Sequence, residues 1–239
     1  MTAHRPNTPN WLKHLFAWGM AKANTADHSA IKLQGCSSYE TMAQLKQAFF
    51  ADLDGRVLEI GPGAGANFSY YPTHIQWVGI EPNLFMHSYL KQEAERLGLH
   101  NIELRLGSAE KLEVEDNSID TVVSTHVLCS VYDPATTLRE IGRVLKPGGR
   151  FLFIEHVAAQ CGTWTRRIQD GIEPGWKTMF DNCHPNREIG EVLENIGFDS
   201  IHYQQFNLSI PIVSPHIAGV ARKKTVEIVE RDAKSLMNI

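Results

Sequence analysis

The chain has 239 residues, 43% hydrophobic and 21% charged, which fits a globular protein with one large α/β domain or two small ones. A net charge of −4 without a long basic run argues against nucleic acid as the main partner. Four widely spaced cysteines without a CxxC pair exclude a dense disulfide framework and favour reduced thiols. No signal peptide and no run of the ~18 apolar residues of a transmembrane helix is visible, so we expect a cytoplasmic protein.

Residues 1–52 predict two helices, which would form a helical extension or lid. The second helix is predicted over 37–50. The first lies within residues 11–23 and places Trp11, Leu15 and Trp18 at helical spacing. Two interpretations of this first helix stay open. It caps the rest of the chain, or its aromatic residues and lysines make a peripheral membrane contact.

From residue 56 the sequence alternates strands and helices. Strands are predicted over 57–60, 75–80, 102–106, 119–124 and 150–155, and helices over 66–71, 84–97 and 135–145. This alternation predicts an α/β fold, with a single Rossmann-like, doubly wound and mostly parallel sheet of seven strands covered by helices on both faces.

The last part of the chain has a looser pattern. Residues 158–185 read as irregular, with a helix around 163–170, and a further helix is predicted over 186–196. Strands over 201–208 and 216–221 have no crossover helix between them, so they predict an antiparallel hairpin at the C-terminal edge of the sheet. We therefore expect one domain over 53–224 and a charged tail over 225–239.

A glycine-rich turn follows the first predicted strand, in the sequence RVLEIGPGAG. Glycines at 61, 63 and 65 on a strand-to-helix turn let a bulky polar ligand approach the backbone closely. The next strand ends in Glu81, an acid that can accept hydrogen bonds from both hydroxyls of a ribose. The sequence therefore predicts a nucleoside-like cofactor.

The identity of that cofactor depends on the acid before the glycines. Gly61, Gly63 and Ala66 also fit the dinucleotide fingerprint. Glu59, however, would repel a pyrophosphate, whereas it would attract a positively charged amino-acid moiety. An NAD-dependent oxidoreductase is therefore disfavoured, as it is by the segments LGSAEKL, STHVLCSV and LREIGRVLKPGGRFLFIEH.

Together, the segments EIGPGAG, GIEPN, GSAEKL, DNSID and LKPGG resemble the class I S-adenosylmethionine-dependent methyltransferases over roughly residues 55–222. Within that superfamily, VLCSV, FIEHVA, PGWKTMFDNCHPNRE and PHIAGVA resemble the methyltransferase-like thiol S-methyltransferases, which are membrane-associated in animals. The chain departs from that subfamily in lacking a long hydrophobic N-terminal anchor. The resemblance implies S-adenosyl-L-methionine as cofactor and S-adenosyl-L-homocysteine as product.

The resemblance also implies a cofactor site at matching positions. Glu59 and the glycine turn would line the methionine and ribose parts, and Glu81 would hold the ribose hydroxyls. Many relatives have an acid where Ser108 stands, so Glu110 or a backbone carbonyl must accept from the adenine amino group. The implied residues are Glu59, Gly61, Pro62, Gly63, Gly65, Asn67, Glu81, Pro82, Asn83, Ser108, Ala109, Glu110, Thr125 and His126.

The catalytic candidates are His126, His156 and Asp181. In an open α/β sheet the ligand crevice lies at the carboxyl ends of the strands, and both histidines directly follow strands. Asp181 lies in residues 158–185, which we expect to fold over the crevice as a lid on the acceptor site. A thiol acceptor must lose its proton, so each residue is a candidate base or orienting group. The alternatives are a carbonyl hydrogen bond for each histidine and a helix cap for Asp181.

The cysteines are expected to play smaller parts. Cys129 reads as a small core residue. Cys183 and His184 are adjacent but lack a second ligand pair, so we expect no metal site. Trp164, Trp176, Met179 and Phe180 predict an apolar acceptor pocket or the packing of the lid.

These features predict a methyltransferase that acts on a small, fairly apolar acceptor, with a thiol favoured. An O-, N- or C-methyltransferase of a quinone, lipid headgroup or small metabolite stays open. So does a cofactor-binding protein without catalysis. The oligomeric state also stays open.

Overall fold

A computed structural model describes residues 8–24 and 31–225. Its elements in chain order are α1 (Asn10–Asn24), β1 (Leu33–Gln34), α2 (Met42–Phe50), β2 (Arg56–Ile60), a 3-10 helix (Phe68–Tyr70), β3 (Gln76–Ile80), α3 (Met86–Arg96), β4 (Ile102–Arg105), β5 (Ile119–Thr125), α4 (Pro134–Val144), β6 (Leu145–His156), α5 (Trp164–Met179), α6 (Ile189–Glu194), β7 (Ser200–Leu208) and β8 (Pro215–Arg222). The predicted tail lies outside the described residues except for residue 225. Within the described ranges, no helix has both the length and the apolar character needed to cross a membrane.

One sheet of eight strands organises the chain, in the order β1-β7-β8-β6-β5-β2-β3-β4. Strands β2 to β6 pair in parallel, whereas β8 is antiparallel to both β6 and β7. The predicted α/β class, the parallel core and the C-terminal hairpin are confirmed. All seven predicted strands are present, and β1 adds an eighth that pairs antiparallel with β7. A strand of two residues is too short to show a periodic pattern in the sequence.

Both faces of the sheet are buried, as a doubly wound fold requires. Leu58 and Ile60 of β2 pack into one apolar cluster with residues of α4 and α6. Val57 points to the opposite face and packs into a second cluster with α2 and the 3-10 helix. Glu59 alternates with Leu58 and Ile60, so it shares the face of Val57 and enters an apolar layer.

Several predicted elements have different bounds, including β6, which begins at Leu145 rather than residue 150. Helix α2 begins at Met42 rather than residue 37, because Thr41 and Gln44 form a capping box. Residues 66–71 hold only a 3-10 turn. Residues 158–185 are mostly helical rather than irregular, because α5 is 16 residues long and continues past Pro174 to Met179.

Candidate active site

Glu81 braces the glycine turn at the carboxyl end of β3. Its Oε2 accepts from the Gly63 N–H at 3.0 Å, and its Oε1 accepts from the Asn83 N–H at 2.8 Å. Burial raises the pKa of Glu81 to about 7, against the opposing effect of these two hydrogen bonds. Each carboxylate oxygen has a second acceptor position, so the residue can also accept from two ligand hydroxyls.

Gly61 and Gly63 in the turn are glycines for different physical reasons. A Cβ at Gly61 would lie 2.7 Å from the Val127 side chain, so this position is closed by packing. A Cβ at Gly63 would meet no atom within 4 Å, and its φ is +56°. Gly63 therefore leaves open space beside the Glu81 carboxylate, where a ligand can reach the backbone.

Glu59 lies beneath the turn and is buried. Its carboxylate accepts from Asn67 Nδ2 at 2.7 Å and from Trp77 Nε1 at 3.0 Å. Burial raises the pKa of Glu59 and lowers that of nearby Lys46 to about 8. Asn67 Nδ2 also contacts Thr125 Oγ1 at 3.0 Å, which joins the turn to the end of β5.

Asn67 leaves an acceptor unused. Its Oδ1 is buried and has no hydrogen-bond partner among the described residues. Buried polar atoms are rarely left unpaired in proteins.

Helix α1 covers the turn. The side chain of Asn24 donates to the Ala64 carbonyl at 3.2 Å, and Asn83 donates to the Lys13 carbonyl at the same distance. Ala17 is fully buried against Ala64. This inner face fits the lid interpretation. The outer face leaves several large apolar side chains exposed: Trp11, Leu15, Trp18 and Met20.

The turn after β4 holds the residues expected near adenine. The Ser108 hydroxyl donates to the Glu110 carboxylate, which also accepts from the Tyr132 N–H at 2.6 Å. Ala109 is buried. The remaining predicted cofactor residues differ in exposure, since Pro62 is buried and Pro82 is exposed.

His126 follows β5 at the same edge of the sheet. It is exposed and adopts a φ of +57°, a conformation that non-glycine residues rarely adopt. Its Nε2 lies 3.1 Å from Nε2 of the buried His216. His216 Nδ1 lies 2.9 Å from the Ser214 carbonyl, so Nδ1 must carry the proton and Nε2 must accept. His126 Nε2 is then the donor, and in the neutral ring the basic nitrogen of His126 is Nδ1.

The charge state of His216 supports this assignment. The pKa of His216 is lowered to about 4, mainly by burial and also by the neighbouring His156, against the hydrogen bond to Ser214. His216 is therefore neutral at pH 7 and acts as a fixed hydrogen-bond acceptor.

His156 lies at the end of β6 and contacts sulfur. Its Nε2 is 3.1 Å from Cys183 Sγ, which also accepts from Trp176 Nε1 at 3.3 Å. Cys129 lies beside Cys183, and their hydrogen bond lowers the pKa of Cys183 and raises that of Cys129. Cys129 is buried, as predicted for a small core residue. We call His126, Cys129, His156, Cys183 and His216 the histidine–cysteine cluster.

Asp181 interacts electrostatically with Glu81 and with Lys13. Burial raises its pKa, against the positive charge of Lys13 in α1, and its charge also raises the pKa of Glu81. Its φ is +46°. Asp181 therefore belongs to the same group of charged residues as Glu81 and Lys13.

Four apolar residues were predicted to line an acceptor pocket or the lid. Two of them, Trp176 and Phe180, pack on each other with ring centroids 4.3 Å apart. Trp164 and Met179 are exposed, so only part of the expected set faces inward.

Sequence reasoning missed Glu155 as a site residue. It is fully buried, and its carboxylate accepts from the Ser124 hydroxyl at 2.6 Å and from the N–H groups of Val127 and Leu128 at 3.2 and 3.1 Å. It therefore fixes the turn that carries His126 and Cys129. The signal was present, because an acid that ends an apolar strand is the same pattern that identified Glu81.

Comparison with known proteins finds relatives of this chain among protein sequences and among solved structures. Residues 58–153 match the Methyltransferase domain family. The human thiol S-methyltransferase TMT1A is 40% identical over 196 residues, which span 77% of this chain and 80% of that protein.

Two solved structures share the fold. The [4+2]-cyclase SpnF has a TM-score of 0.65 at 17% identity, and the alignment covers 90% of this chain and 94% of the cyclase. A Haemonchus contortus phosphoethanolamine N-methyltransferase in complex with S-adenosylhomocysteine has a TM-score of 0.60 at 17% identity, with 76% and 53% of the two chains covered.

Proposed function

Because this chain belongs to the class I S-adenosylmethionine-dependent methyltransferases, we propose that it methylates a small, fairly apolar thiol. The observation that carries the thiol is the 40% identity to a human thiol S-methyltransferase over most of both chains. S-adenosyl-L-methionine supplies a methyl group on a sulfonium and leaves as S-adenosyl-L-homocysteine. The chain itself must bind the cofactor, orient the acceptor and take its proton.

The glycine-turn site would bind the cofactor through two kinds of contact. Glu81 would accept from the ribose hydroxyls while it holds the Gly63 N–H. The unpaired Oδ1 of Asn67 would accept from the amino-acid part of the cofactor. Glu59, Glu81 and Asp181 also place negative charge around a ligand that carries a sulfonium and an ammonium, which favours the cationic cofactor.

The remaining cofactor contacts are proposed from the positions of these residues in the fold. Gly61, Gly65 and Pro62 shape the turn, Asn83 and Pro82 follow Glu81, and Thr125 contacts Asn67. Ser108, Ala109 and Glu110 would border the adenine.

The histidine–cysteine cluster would handle the acceptor. The tautomer set by His216 places the basic nitrogen of neutral His126 at Nδ1, and His126 is exposed at the crevice. A thiol has an ordinary pKa of about 8.5, so an imidazole can remove its proton at neutral pH, whereas an alcohol is a far weaker acid. We assign His126 as the base, His156 as a positioning residue beside the sulfur atoms, and Asp181 as an electrostatic partner of the cofactor.

The decisive experiment is a matched acceptor series. The protein is incubated with labelled S-adenosylmethionine and one apolar scaffold that carries a thiol, a hydroxyl or an amine. We expect label on the thiol alone. Label on the hydroxyl or the amine would replace the thiol assignment with an O- or N-methyltransferase, and cofactor binding without any transfer would indicate a non-catalytic cofactor-binding protein.

A further inference from the structure

We propose that Cys129, His156 and Cys183 form a zinc site whose fourth position is open to the acceptor thiol. The three residues come from the turn after β5, the end of β6 and the turn after α5. One ligand atom from each lies within 4.8 Å of the other two. The inference rests on the proposed function only for the occupant of the fourth position.

The distances suit zinc after a small adjustment. Zinc bonds of about 2.3 Å to sulfur and 2.0–2.1 Å to nitrogen in a tetrahedron place ligand atoms about 3.5–3.8 Å apart. His156 Nε2 lies 3.1 Å from Cys183 Sγ, so this pair must open by a few tenths of an ångström. Two thiolates and one imidazole are a donor set that zinc prefers over magnesium or calcium.

The backbone holds the two cysteines in place. Glu155 accepts from the N–H groups of Val127 and Leu128, just before Cys129. The His184 N–H donates to the Cys129 carbonyl at 2.9 Å, so the residue after Cys183 is tied to Cys129 itself. Such pre-arranged ligands lose little freedom when a metal binds.

A side chain closes the same junction. Asn182 Nδ2 donates to the Ser130 carbonyl at 2.6 Å. The residues that flank Cys183 on both sides are therefore bonded to the segment that carries Cys129.

The imidazole of His156 is buried and turns its Nε2 towards sulfur. Here the described polar contact of the ring is to Cys183, and Trp176 donates to that same sulfur.

The number of ligands indicates an open site. Structural zinc sites have four protein ligands, whereas catalytic sites have three and leave a position for water or substrate. Among residues 8–24 and 31–225 the group contains three ligands. A thiol acceptor would supply a soft sulfur as the fourth.

The protons of Cys129 and Cys183 would be released to water when zinc binds, and the two thiolates would balance the charge of Zn²⁺. The S–H bond of the acceptor would then break, its electron pair would stay on the sulfur, and the proton would pass to His126 and then to water. A third thiolate at the site would leave one negative charge. Arg187 offsets this charge, since its positive guanidinium interacts with both cysteines and is anchored by the carbonyls of Leu128 and Val131 at 2.9 and 2.5 Å.

This inference revises the expectation of no metal. In the sequence, Cys183 has only His184 as a neighbouring ligand. In the structure His184 turns away, and its Nδ1 lies 2.8 Å from a carboxylate oxygen of Glu173. The partners of Cys183 are instead His156 and Cys129, each at least 27 positions away in the chain.

The test is metal content and cobalt spectroscopy on the full chain, purified under reducing conditions and loaded with zinc or cobalt. We expect about one zinc per chain. The cobalt form should show a sulfur-to-cobalt charge-transfer band and the strong visible bands of four-coordinate cobalt. A thiol scaffold should shift the visible bands, and the alcohol of the same scaffold should not.

The controls separate the site from the fold. Cys183→Ala should lose the metal, whereas Cys161→Ala, which removes an exposed cysteine, should keep it. Retained S-adenosylhomocysteine binding shows that each variant is folded. Wild-type protein that binds this ligand but takes up no zinc would overturn the inference, as would metal retained by Cys183→Ala or a Cys129–Cys183 disulfide in place of metal.

The same measurements distinguish this inference from the proposed function. Thiol methylation by wild-type protein that takes up no zinc would remove the zinc site and leave the function. Stoichiometric zinc with label transfer to another acceptor would keep the metal site and remove the thiol as its occupant.

Discussion

The glycine-turn site and the histidine–cysteine cluster lie at the same edge of the sheet but are built differently. The first comes mainly from one continuous stretch, in which Glu81 braces Gly63 across 18 positions. The second is assembled from the ends of β5 and β6, the turn after α5 and the start of β8. His126 and His216, for example, are 90 positions apart. A site made by one strand-turn-strand unit is visible in a sequence, whereas a site made by distant segments appears only once they are folded.

That difference explains what could be predicted. The α/β class, the parallel core and the hairpin follow from hydrophobic periodicity, and Glu81 follows from its place at the end of a strand. The link between Cys129 and Cys183 had no local signal, because it depends on how α5 returns to the turn after β5. The length of α5 was also missed: a helix was predicted only around 163–170, whereas α5 continues to Met179 with Pro174 inside it.

The largest expected effect in the glycine-turn site belongs to Glu81→Gln. The amide cannot accept from both backbone N–H groups and both ribose hydroxyls, and it removes the negative charge. One lost charge-assisted hydrogen bond costs about 1.5–3 kcal/mol, so the Kd for S-adenosylhomocysteine should rise about 10- to 100-fold. Calorimetry measures this, with Glu103→Gln on the exposed side of β4 as the matched control. An unchanged Kd would remove Glu81 from the cofactor site.

Glu155→Gln should affect the histidine–cysteine cluster, because Glu155 holds the turn that carries His126 and Cys129. The amide leaves at least one buried N–H without an acceptor, which costs about 1–3 kcal/mol. For a chain of this size that lowers the melting temperature by roughly 2–4 °C per kcal/mol. We expect slower thiol methylation, because His126 and Cys129 lose their fixed position, but nearly unchanged cofactor affinity. A loss of affinity as large as that of Glu81→Gln would contradict the separation of the two halves.

The pH dependence of stability and of cofactor affinity should also separate the glycine-turn site from the histidine–cysteine cluster. The folded pKa of Glu81 and of Glu155 is about 7, above the ordinary glutamate value near 4.3. The folded chain therefore binds more protons than the unfolded chain between these values, so the stability of the ligand-free protein should fall as the pH rises from about 4.3 through 7.

Cofactor binding should respond in the opposite sense, because the ribose hydroxyls need the Glu81 carboxylate. Affinity for S-adenosylhomocysteine should weaken about 10-fold from pH 8 to pH 6. Titrations at several pH values test this. The dependence should largely disappear in Glu81→Gln and persist in Glu155→Gln, and a dependence that is equal in both variants would assign it to another group.

The smallest effect is expected on the outer face of α1. Trp11 and Trp18 are 68% and 50% exposed, so Trp11→Ser with Trp18→Ser should change stability by less than about 0.5 kcal/mol each and leave cofactor affinity unchanged. Vesicle flotation of the full chain and of this variant tests the membrane interpretation. Flotation that the substitutions abolish would support a peripheral contact, and no flotation of either protein would leave α1 as a lid alone.

The most direct test of the account is one variant measured in two ways. His126→Asn removes the proposed base and keeps a polar side chain at the crevice. We expect kcat/KM for the thiol scaffold to fall about 100-fold or more, the usual contribution of a positioned base, while the Kd for S-adenosylhomocysteine stays within about 3-fold of the wild-type value. Methylation at the wild-type rate, or loss of cofactor binding in parallel with activity, would contradict the division of labour between the two halves of the site.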